Sequence, residues 1–337
     1  RLDLDGLRNE VRTWFEPAAL EETLGPGDTE TEQIAREWLA RDGKRWRPFL
    51  TVCAWKALQP DPEAEIPETL KKLAVAVECF HKASLIHDDI EDDDAERYGK
   101  SALHVEYGVP VALNCGDLLL GEGYRLIAEC GAPPERLVQM MASAARGHST
   151  LSIGQGAELC WMRDPKPMSS LEVLRIFRQK TAPAFEVALQ MGALLAGADA
   201  KILTVLAKYS EALGIAYQIR DDLEDMAPAD IRPALPLAIA YERAKGETRA
   251  TIERVWRRQE ESYPAAIGQL SEERCRELLE SYKEEAIRSL PPLENASLKG
   301  LLRRVVGKIF QVEIKGWCSE FETRNAADRE AVAQAAR

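Results

Sequence analysis

Two acidic segments of this sequence repeat one spacing, and that spacing suits the binding of a metal ion. Asp88, Asp89 and Asp92 follow an apolar run, and Asp221 and Asp225 follow a second one. Residues four apart lie on one face of a helix, so the outer aspartates of each segment stack and repel each other unless a cation lies among them. Oxygen ligands favour Mg²⁺, which completes its octahedron with waters and a substrate phosphate. The pattern therefore predicts two carboxylate rows that hold Mg²⁺ on a diphosphate.

A solvated acidic surface is the alternative explanation, because most charge runs are exposed faces. The repeat of one spacing at the ends of two apolar helices favours the metal site. Polar side chains also extend both stripes toward the N-terminus, with His81 and Ser84 before the first segment and Gln218 before the second. We therefore expect one site that is built around both stripes.

The elements that position these residues are predicted to be helices. Apolar residues recur with a helical period through most segments, for example 70–84 and 171–177, and clusters of proline and glycine separate them. The β-branched segment 305–314 is the one candidate strand. The sequence predicts a single all-α domain over residues 1–337, with a loosely ordered tail after about residue 322.

Composition narrows the classes of partner. The chain has 44 Lys and Arg against 56 Asp and Glu, and a net charge of -12 argues against general nucleic-acid binding. Anion binding in a local basic pocket remains compatible with that charge. The seven cysteines are scattered and form no CxxC pair, which favours free thiols in a reducing cytoplasm. No apolar run reaches the length that spans a membrane.

Several short motifs, taken in order, resemble those of the trans-isoprenyl diphosphate synthases, or polyprenyl synthetases. They are GKRWRP (43–48), DDIED (88–92), AERYG (95–99), NCGDLLL (114–120), GQGAE (154–158), KT (180–181) and YQIRDDLED (217–225). The resemblance covers most of the chain. It implies a bundle of long helices around a central cavity, a homodimer, and a Mg²⁺-dependent condensation of an allylic diphosphate with isopentenyl diphosphate.

The resemblance also assigns roles to residues of the allylic site. The carboxylates that would bind Mg²⁺ on the allylic diphosphate are those of Asp88, Asp89, Asp92, Asp221 and Asp225. Arg97 and Lys180 would contact that diphosphate, while Thr181 and Gln218 would line the reacting centre. Neutralised in this way, the diphosphate becomes a leaving group.

The second substrate, isopentenyl diphosphate, would be held by Lys44, Arg47 and His81, together with the residue at position 98. Gly43 is expected to end one helix, and Pro48 to be the first residue of the next. The two cations would then lie at a helix N-terminus, where backbone amides also favour anions.

Three departures from the family pattern concern diphosphate ligands. Tyr98 stands where the family has the second arginine of Arg-Arg-Gly, and it brings no charge unless Arg45 or another cation substitutes. Arg232 is the only cation in the loop after Asp225, where the family has lysines, and Ser101-Ala102 replaces Pro-Thr. These departures leave two other hypotheses open. One is a diverged member that cyclises its allylic diphosphate or couples it to another acceptor, and the other is a regulatory subunit of a heteromer.

Residues before the first acidic segment bear on product length. Ala83 and Ser84 are small, and Phe80 lies about one turn deeper as a candidate floor. Relatives that form farnesyl diphosphate have large side chains near here. We therefore expect a product longer than farnesyl, namely geranylgeranyl diphosphate.

Overall fold

The computed structural model describes residues 2–310, and helices account for nearly all of its regular structure. Fourteen helices and one two-stranded antiparallel hairpin occur in this range, which confirms the all-α prediction. In chain order the elements are α1 (Leu4–Thr13), α2 (Pro17–Leu24), α3 (Glu30–Ala40), α4 (Trp46–Ala57), α5 (Glu68–Asp92), β1 (Glu96–Arg97), β2 (Lys100–Ser101), α6 (Leu103–Tyr107), α7 (Val109–Ala128), α8 (Pro134–Arg163), α9 (Ser170–Leu195), α10 (Ala200–Glu224), α11 (Leu235–Arg243), α12 (Gly246–Trp256), α13 (Ala265–Arg288) and α14 (Ala296–Ile309).

Side-chain caps fix the start of the two helices that carry the KT dipeptide and the second acidic segment. Before α9, the Ser169 hydroxyl accepts from the Glu172 amide at 3.1 Å, and the Glu172 carboxylate accepts from the Ser169 amide at 2.7 Å. Before α10, the Asp199 carboxylate accepts from the Ile202 amide at 2.9 Å. Such bonds satisfy amides that have no partner within the helix, so the local sequence sets both start points.

Five helices enclose a central cavity, as the resemblance implied. Helix α5 packs against α4 and α7, and α9 packs against α4, α8 and α10. The cavity has a volume of about 360 Å³ and is lined from α4, α5, α7, α8 and α9. Both the first acidic segment and Lys180 reach its walls.

Two glycines let the neighbouring helices approach the backbone of α9 beside Lys180. A Cβ at Gly154 of α8 would lie 2.7 Å from the Cβ of Gln179, and one at Gly214 of α10 would lie 2.7 Å from the Ala182 nitrogen. No larger side chain fits at such distances. The close approach therefore places the KT dipeptide between α8, which carries the GQGAE motif, and α10, which carries the second acidic segment.

The structure corrects the predicted boundaries around the first basic motif. Helix α3 ends at Ala40 and α4 begins at Trp46, so Gly43 lies inside the connecting loop and Pro48 is the third helical residue. Arg47 still lies in the first turn of α4, but Lys44 precedes the helix. Of the two cations that were predicted to lie at this helix N-terminus, Arg47 does so and Lys44 does not.

The strand prediction was wrong in position. Val305 to Ile309 belong to α14, and residues 311–314 lie outside the described part, as does the tail after about residue 322. The hairpin lies instead at residues 96–101, where Tyr98 and Gly99 have φ values of 55° and 72°. Two successive positive φ values are typical of a two-residue type I′ turn. The one-domain organisation stays a prediction, and no described helix is long and apolar enough to cross a membrane.

The close approach of α10 to α9 predicts a stability effect. Gly214→Ala should lower the free energy of unfolding by about 1–3 kcal/mol, because the added methyl group overlaps the Ala182 backbone. Gly300→Ala on α14 is the matched control, since no atom lies within 4 Å of its added Cβ. That variant should be unchanged or more stable by up to about 1 kcal/mol. Chemical denaturation measures both, and equal effects would contradict the packing argument.

Candidate active site

The first acidic segment forms the C-terminal end of α5, beside the cavity. Asp88 lines the cavity, and burial raises its pKa to about 7, with Glu91 adding to the effect. Burial also raises the pKa of Asp92, the last residue of the helix. The raised pKa values show that burial outweighs the positive charge that lies near these carboxylates. A cation bound between them would stabilise their charged forms further.

Asp89 differs from the sequence prediction, because its carboxylate does not face the cavity. The side chain is almost fully buried and accepts two hydrogen bonds from Arg97, at 3.1 Å from Nε and 2.5 Å from Nη2. Such a bidentate pair is among the strongest in proteins. Asp89 therefore holds the hairpin that carries Arg97 and Tyr98, and the carboxylates of this segment that remain for a metal are those of Asp88 and Asp92.

The second acidic segment also departs from the expected stack. Helix α10 ends at Glu224, and Asp225 is its cap residue with φ −124° and ψ 77°, outside helical geometry. Asp221 keeps a side chain that is 45% exposed. Asp222 accepts from the Leu235 amide at 2.8 Å, and burial raises its pKa to about 7. Asp222, which the sequence prediction left out, thus ties the following loop to the motif.

Two cations lie among these carboxylates. The Lys180 ammonium bonds to Glu158, the last residue of the GQGAE motif, and its charge lowers the pKa of Asp88, Asp92 and Asp222 against the larger effect of burial. Arg232 comes from the loop after α10, and its Nη1 lies 3.4 Å from an oxygen of Asp92. Both acidic segments are therefore within electrostatic reach of one cluster of cations.

The donor chemistry of the cluster fits Mg²⁺. The ligands that it offers are carboxylate oxygens, the type that this ion prefers. In residues 2–310 no three His, Cys, Asp or Glu side chains converge on a metal position of their own. A ligand set that needs phosphate oxygens and waters to complete it is expected for Mg²⁺.

A basic pair forms another wall of the cavity. Arg47 and His81 both line it, and Arg47 Nη1 lies 3.2 Å from His81 Nε2. Burial, and then the neighbouring Arg47 charge, lower the pKa of His81 well below its usual value. The ring is therefore neutral at physiological pH and accepts a hydrogen bond from the guanidinium.

Arg45 is fully engaged in holding the loop before α4. The buried side chain pairs with Glu78 at 3.1 Å and donates to the carbonyl oxygens of Leu39, Ala40 and Arg41. These carbonyls belong to the end of α3, where the helix leaves acceptors without partners. Arg45 therefore does not replace the charge that is missing at position 98.

The apolar end of the cavity carries two of the three predicted length-determining residues. Phe80 and Ser84 line it, and the Phe80 ring packs edge-on against Tyr124 with centroids 4.9 Å apart. Tyr124 Oη lies 3.3 Å from Nδ1 of His148, which closes the same end. Ala83 is fully buried in the core and does not line the cavity, so its predicted role is not supported.

The remaining predicted residues lie around the cavity and not on its lining. Thr181 and Gln218 are partly buried on α9 and α10, and Lys44 is exposed in the loop before α4. Tyr98 is partly buried at the turn of the hairpin. In the sequence, Gly99 after Tyr98 was the one sign of a turn at this place. Glu158 and Asp222 were missed as contacts because their partners are distant in sequence.

The fold is all-α, and the cavity lies beside the acidic end of α5. The family model described as polyprenyl synthetase matches residues 28–267, and the chain belongs to that family. The resemblance drawn from the motifs is thereby confirmed.

Curated and solved relatives agree with this class. The chain is 32% identical over 195 residues to a geranylgeranyl pyrophosphate synthase of Geoglobus acetivorans, and the match covers 58% of this chain and 59% of that protein. It is 35% identical over 207 residues to a farnesyl diphosphate synthase of Geobacillus stearothermophilus, covering 59% of this chain and 67% of that protein. The solved geranylgeranyl pyrophosphate synthetase of Geoglobus acetivorans superposes with a TM-score of 0.73 at 26% identity, over 90% of this chain and 99% of that one.

The environment of His81 predicts that its imidazole ring is uncharged. The ring should stay neutral between about pH 6 and 8, because burial and Arg47 both oppose a second proton. NMR of histidine-labelled protein measures this, with the His81 signal identified by its loss in His81→Gln. A ring that titrates near its ordinary value of about 6.5 would contradict the burial of the pair.

Proposed function

We propose that this protein condenses an allylic diphosphate with isopentenyl diphosphate to a longer trans-prenyl diphosphate. The observation that carries the proposal is one cavity with three kinds of wall. Asp88 and Lys180 lie at one end, the Arg47–His81 pair lies on a side, and apolar residues continue to Phe80. A diphosphate, a second anion and a hydrocarbon chain each find matching chemistry there.

The allylic diphosphate would bind at the acidic end. Mg²⁺ held by Asp88, Asp92 and Asp221 would neutralise the leaving diphosphate. Lys180 and Arg232 would turn toward that diphosphate from their present partners, Glu158 and Asp92. Arg232 thus takes the place of the lysines that the family has in this loop. Positive charge placed where the leaving group develops its charge lowers the barrier to ionisation.

The second substrate would bind beside the start of α4. Lys44 and Arg47 would contact its diphosphate, and neutral His81 would orient the guanidinium. Departure of the allylic diphosphate leaves a carbocation, the double bond of isopentenyl diphosphate attacks it, and loss of a proton forms the new double bond. Cavity walls such as Leu85, Leu151 and Leu159 exclude the water that would otherwise quench the cation.

Finer assignments follow from the surface and the cavity. Geranylgeranyl diphosphate is the proposed product, because Ser84 leaves room above the Phe80 floor. A homodimer is proposed because Val109 and Leu113 of α7 and Ile153 of α8 expose apolar side chains. A reducing cytoplasm is proposed because the six cysteines of the described part carry free thiols.

End-point product analysis tests the proposed reaction. The protein is incubated with Mg²⁺ and farnesyl diphosphate, with and without isopentenyl diphosphate, and both aqueous and hexane fractions are analysed. A longer linear diphosphate that forms only with isopentenyl diphosphate is the expected result. A hydrocarbon or alcohol that forms without it would contradict condensation and identify a cyclase.

Substitutions at Phe80 and Ser84 are expected to change product length in opposite directions. Phe80→Ala should lengthen the product, because it removes the ring that closes the cavity against Tyr124. Ser84→Phe should shorten it by filling the cavity higher up, and Ser84→Ala is the control that leaves length unchanged. Chromatography of dephosphorylated products measures all three. Unchanged length in Phe80→Ala would remove this residue as the floor.

A further inference from the structure

A buried lysine lies beside the tyrosine that replaces the family's arginine. Lys82 of α5 is fully buried, and its ammonium donates to the carbonyl oxygens of Arg41 at 2.9 Å and Asp42 at 2.5 Å. Its third partner is the Tyr98 hydroxyl, at 3.2 Å. An ammonium has three donors, so all of them are used. A charge buried at this depth requires such partners.

The Tyr98 hydroxyl remains able to act on a ligand. Its oxygen accepts from Lys82, and a phenol keeps one O–H of its own to donate. A hydroxyl that accepts from a cation becomes a stronger donor, because hydrogen bonds in a chain polarise one another. The aromatic ring also lies over the ammonium at 4.4 Å, which fixes its orientation.

This pair lies directly under the loop that carries Lys44. A methyl group at Gly43 would lie 3.4 Å from Tyr98 Oη and 3.5 Å from Lys82 Nζ. Lys82 fastens the loop at Arg41 and Asp42, on the chain just before Lys44. One buried charge therefore fixes both the loop backbone and the tyrosine.

We propose that Lys82 is a positioning residue for the second diphosphate subsite, which holds the Lys44 loop and polarises the Tyr98 hydroxyl toward the anion. The proposal rests on the proposed function, in which this subsite takes isopentenyl diphosphate. The positive charge of the missing arginine is thus supplied from α5. Lys82 does not touch the ligand itself, because its three donors are occupied.

The surroundings of Lys82 add a pH dependence. Burial and then Arg45 lower its pKa to about 7, Glu78 and Asp42 raise it, and Arg41 lowers it. The ammonium therefore loses its charge as the pH rises through about 7. The KM for isopentenyl diphosphate should rise over that range in the wild type, and the rise should be absent from Lys82→Met.

Exchange of the charge between positions 82 and 98 tests the proposal. Lys82→Met should raise the KM for isopentenyl diphosphate about tenfold or more, because the Lys44 loop and the Tyr98 hydroxyl lose the charge-assisted bonds that position them. The KM for the allylic diphosphate should change less than about twofold. Tyr98→Arg should not improve binding in the wild type, because two cations would lie side by side. In the Lys82→Met background the same change should lower the KM. This reversal of sign is the expected result, and a benefit of Tyr98→Arg in both backgrounds would overturn the proposal.

Two controls separate positioning from stability. Lys283→Met removes another fully buried lysine, which bonds to Glu280 on α13, and it should leave both KM values unchanged whatever its melting temperature. Tyr98→Phe keeps the ring and should raise only the KM for isopentenyl diphosphate, so the proposal remains testable if Lys82→Met fails to fold. Unchanged kinetics in Tyr98→Phe would overturn it.

A binding measurement tests the role of Lys82 separately from the proposed reaction. Calorimetry with inorganic diphosphate needs no turnover. If the wild type elongates nothing, the proposed function fails. Weaker binding by Lys82→Met that Tyr98→Arg restores would still support the role of Lys82. Equal affinity of wild type and Lys82→Met would overturn that role even if elongation occurs.

Discussion

Negative charge buried at the end of an apolar helix is the constraint on which the rest of this site depends. Asp88 lies on the wall of a cavity whose other lining is largely hydrocarbon, and burial alone disfavours its charged form. Cations from three segments that are distant in sequence lie near the carboxylates of this helix end. Arg97 comes from a hairpin, Lys180 from the middle of α9 and Arg232 from the loop after α10.

The basic residues divide into those that hold the scaffold and those that remain for a ligand. Arg45 and Lys82 are buried and use their donors on backbone carbonyls and on neighbouring side chains. Lys44 is exposed, and Arg47 faces the cavity beside a neutral histidine. Because a buried charge must be paired, the first group cannot be released without a large loss of stability. An anion can recruit the second group, because Lys44 is exposed and burial of the Arg47 charge, which lowers its pKa, is relieved by a bound anion.

The sequence predicted those features that follow from local pattern. Helical period and spacing were enough for the all-α fold, the two acidic helix ends and the cavity-facing positions of Asp88 and Phe80. The predictions that did not match depended on contacts between distant residues or on where a helix ends. Asp89 bonds to Arg97 across a turn, Asp225 lies just past the end of α10, and Ala83 faces the core. Periodicity predicts none of these three features. Each depends on a contact with a distant residue, on the residue at which a helix ends, or on the exact direction in which a side chain leaves its helix.

The buried lysine changes the meaning of Tyr98. From sequence alone, loss of an arginine weakened the case for a second diphosphate and left cyclisation as an alternative. With the Lys82 ammonium 3.2 Å from the Tyr98 hydroxyl, the region keeps a positive charge and the hydroxyl keeps its proton for an anion. Arg47 and Lys44 lie on the same side of the molecule, on the loop and helix start that Lys82 helps to fix. A chain that had abandoned the second anion would have no need to bury an ammonium beneath that loop, so the substitution is better explained as a rearranged subsite than as a changed reaction.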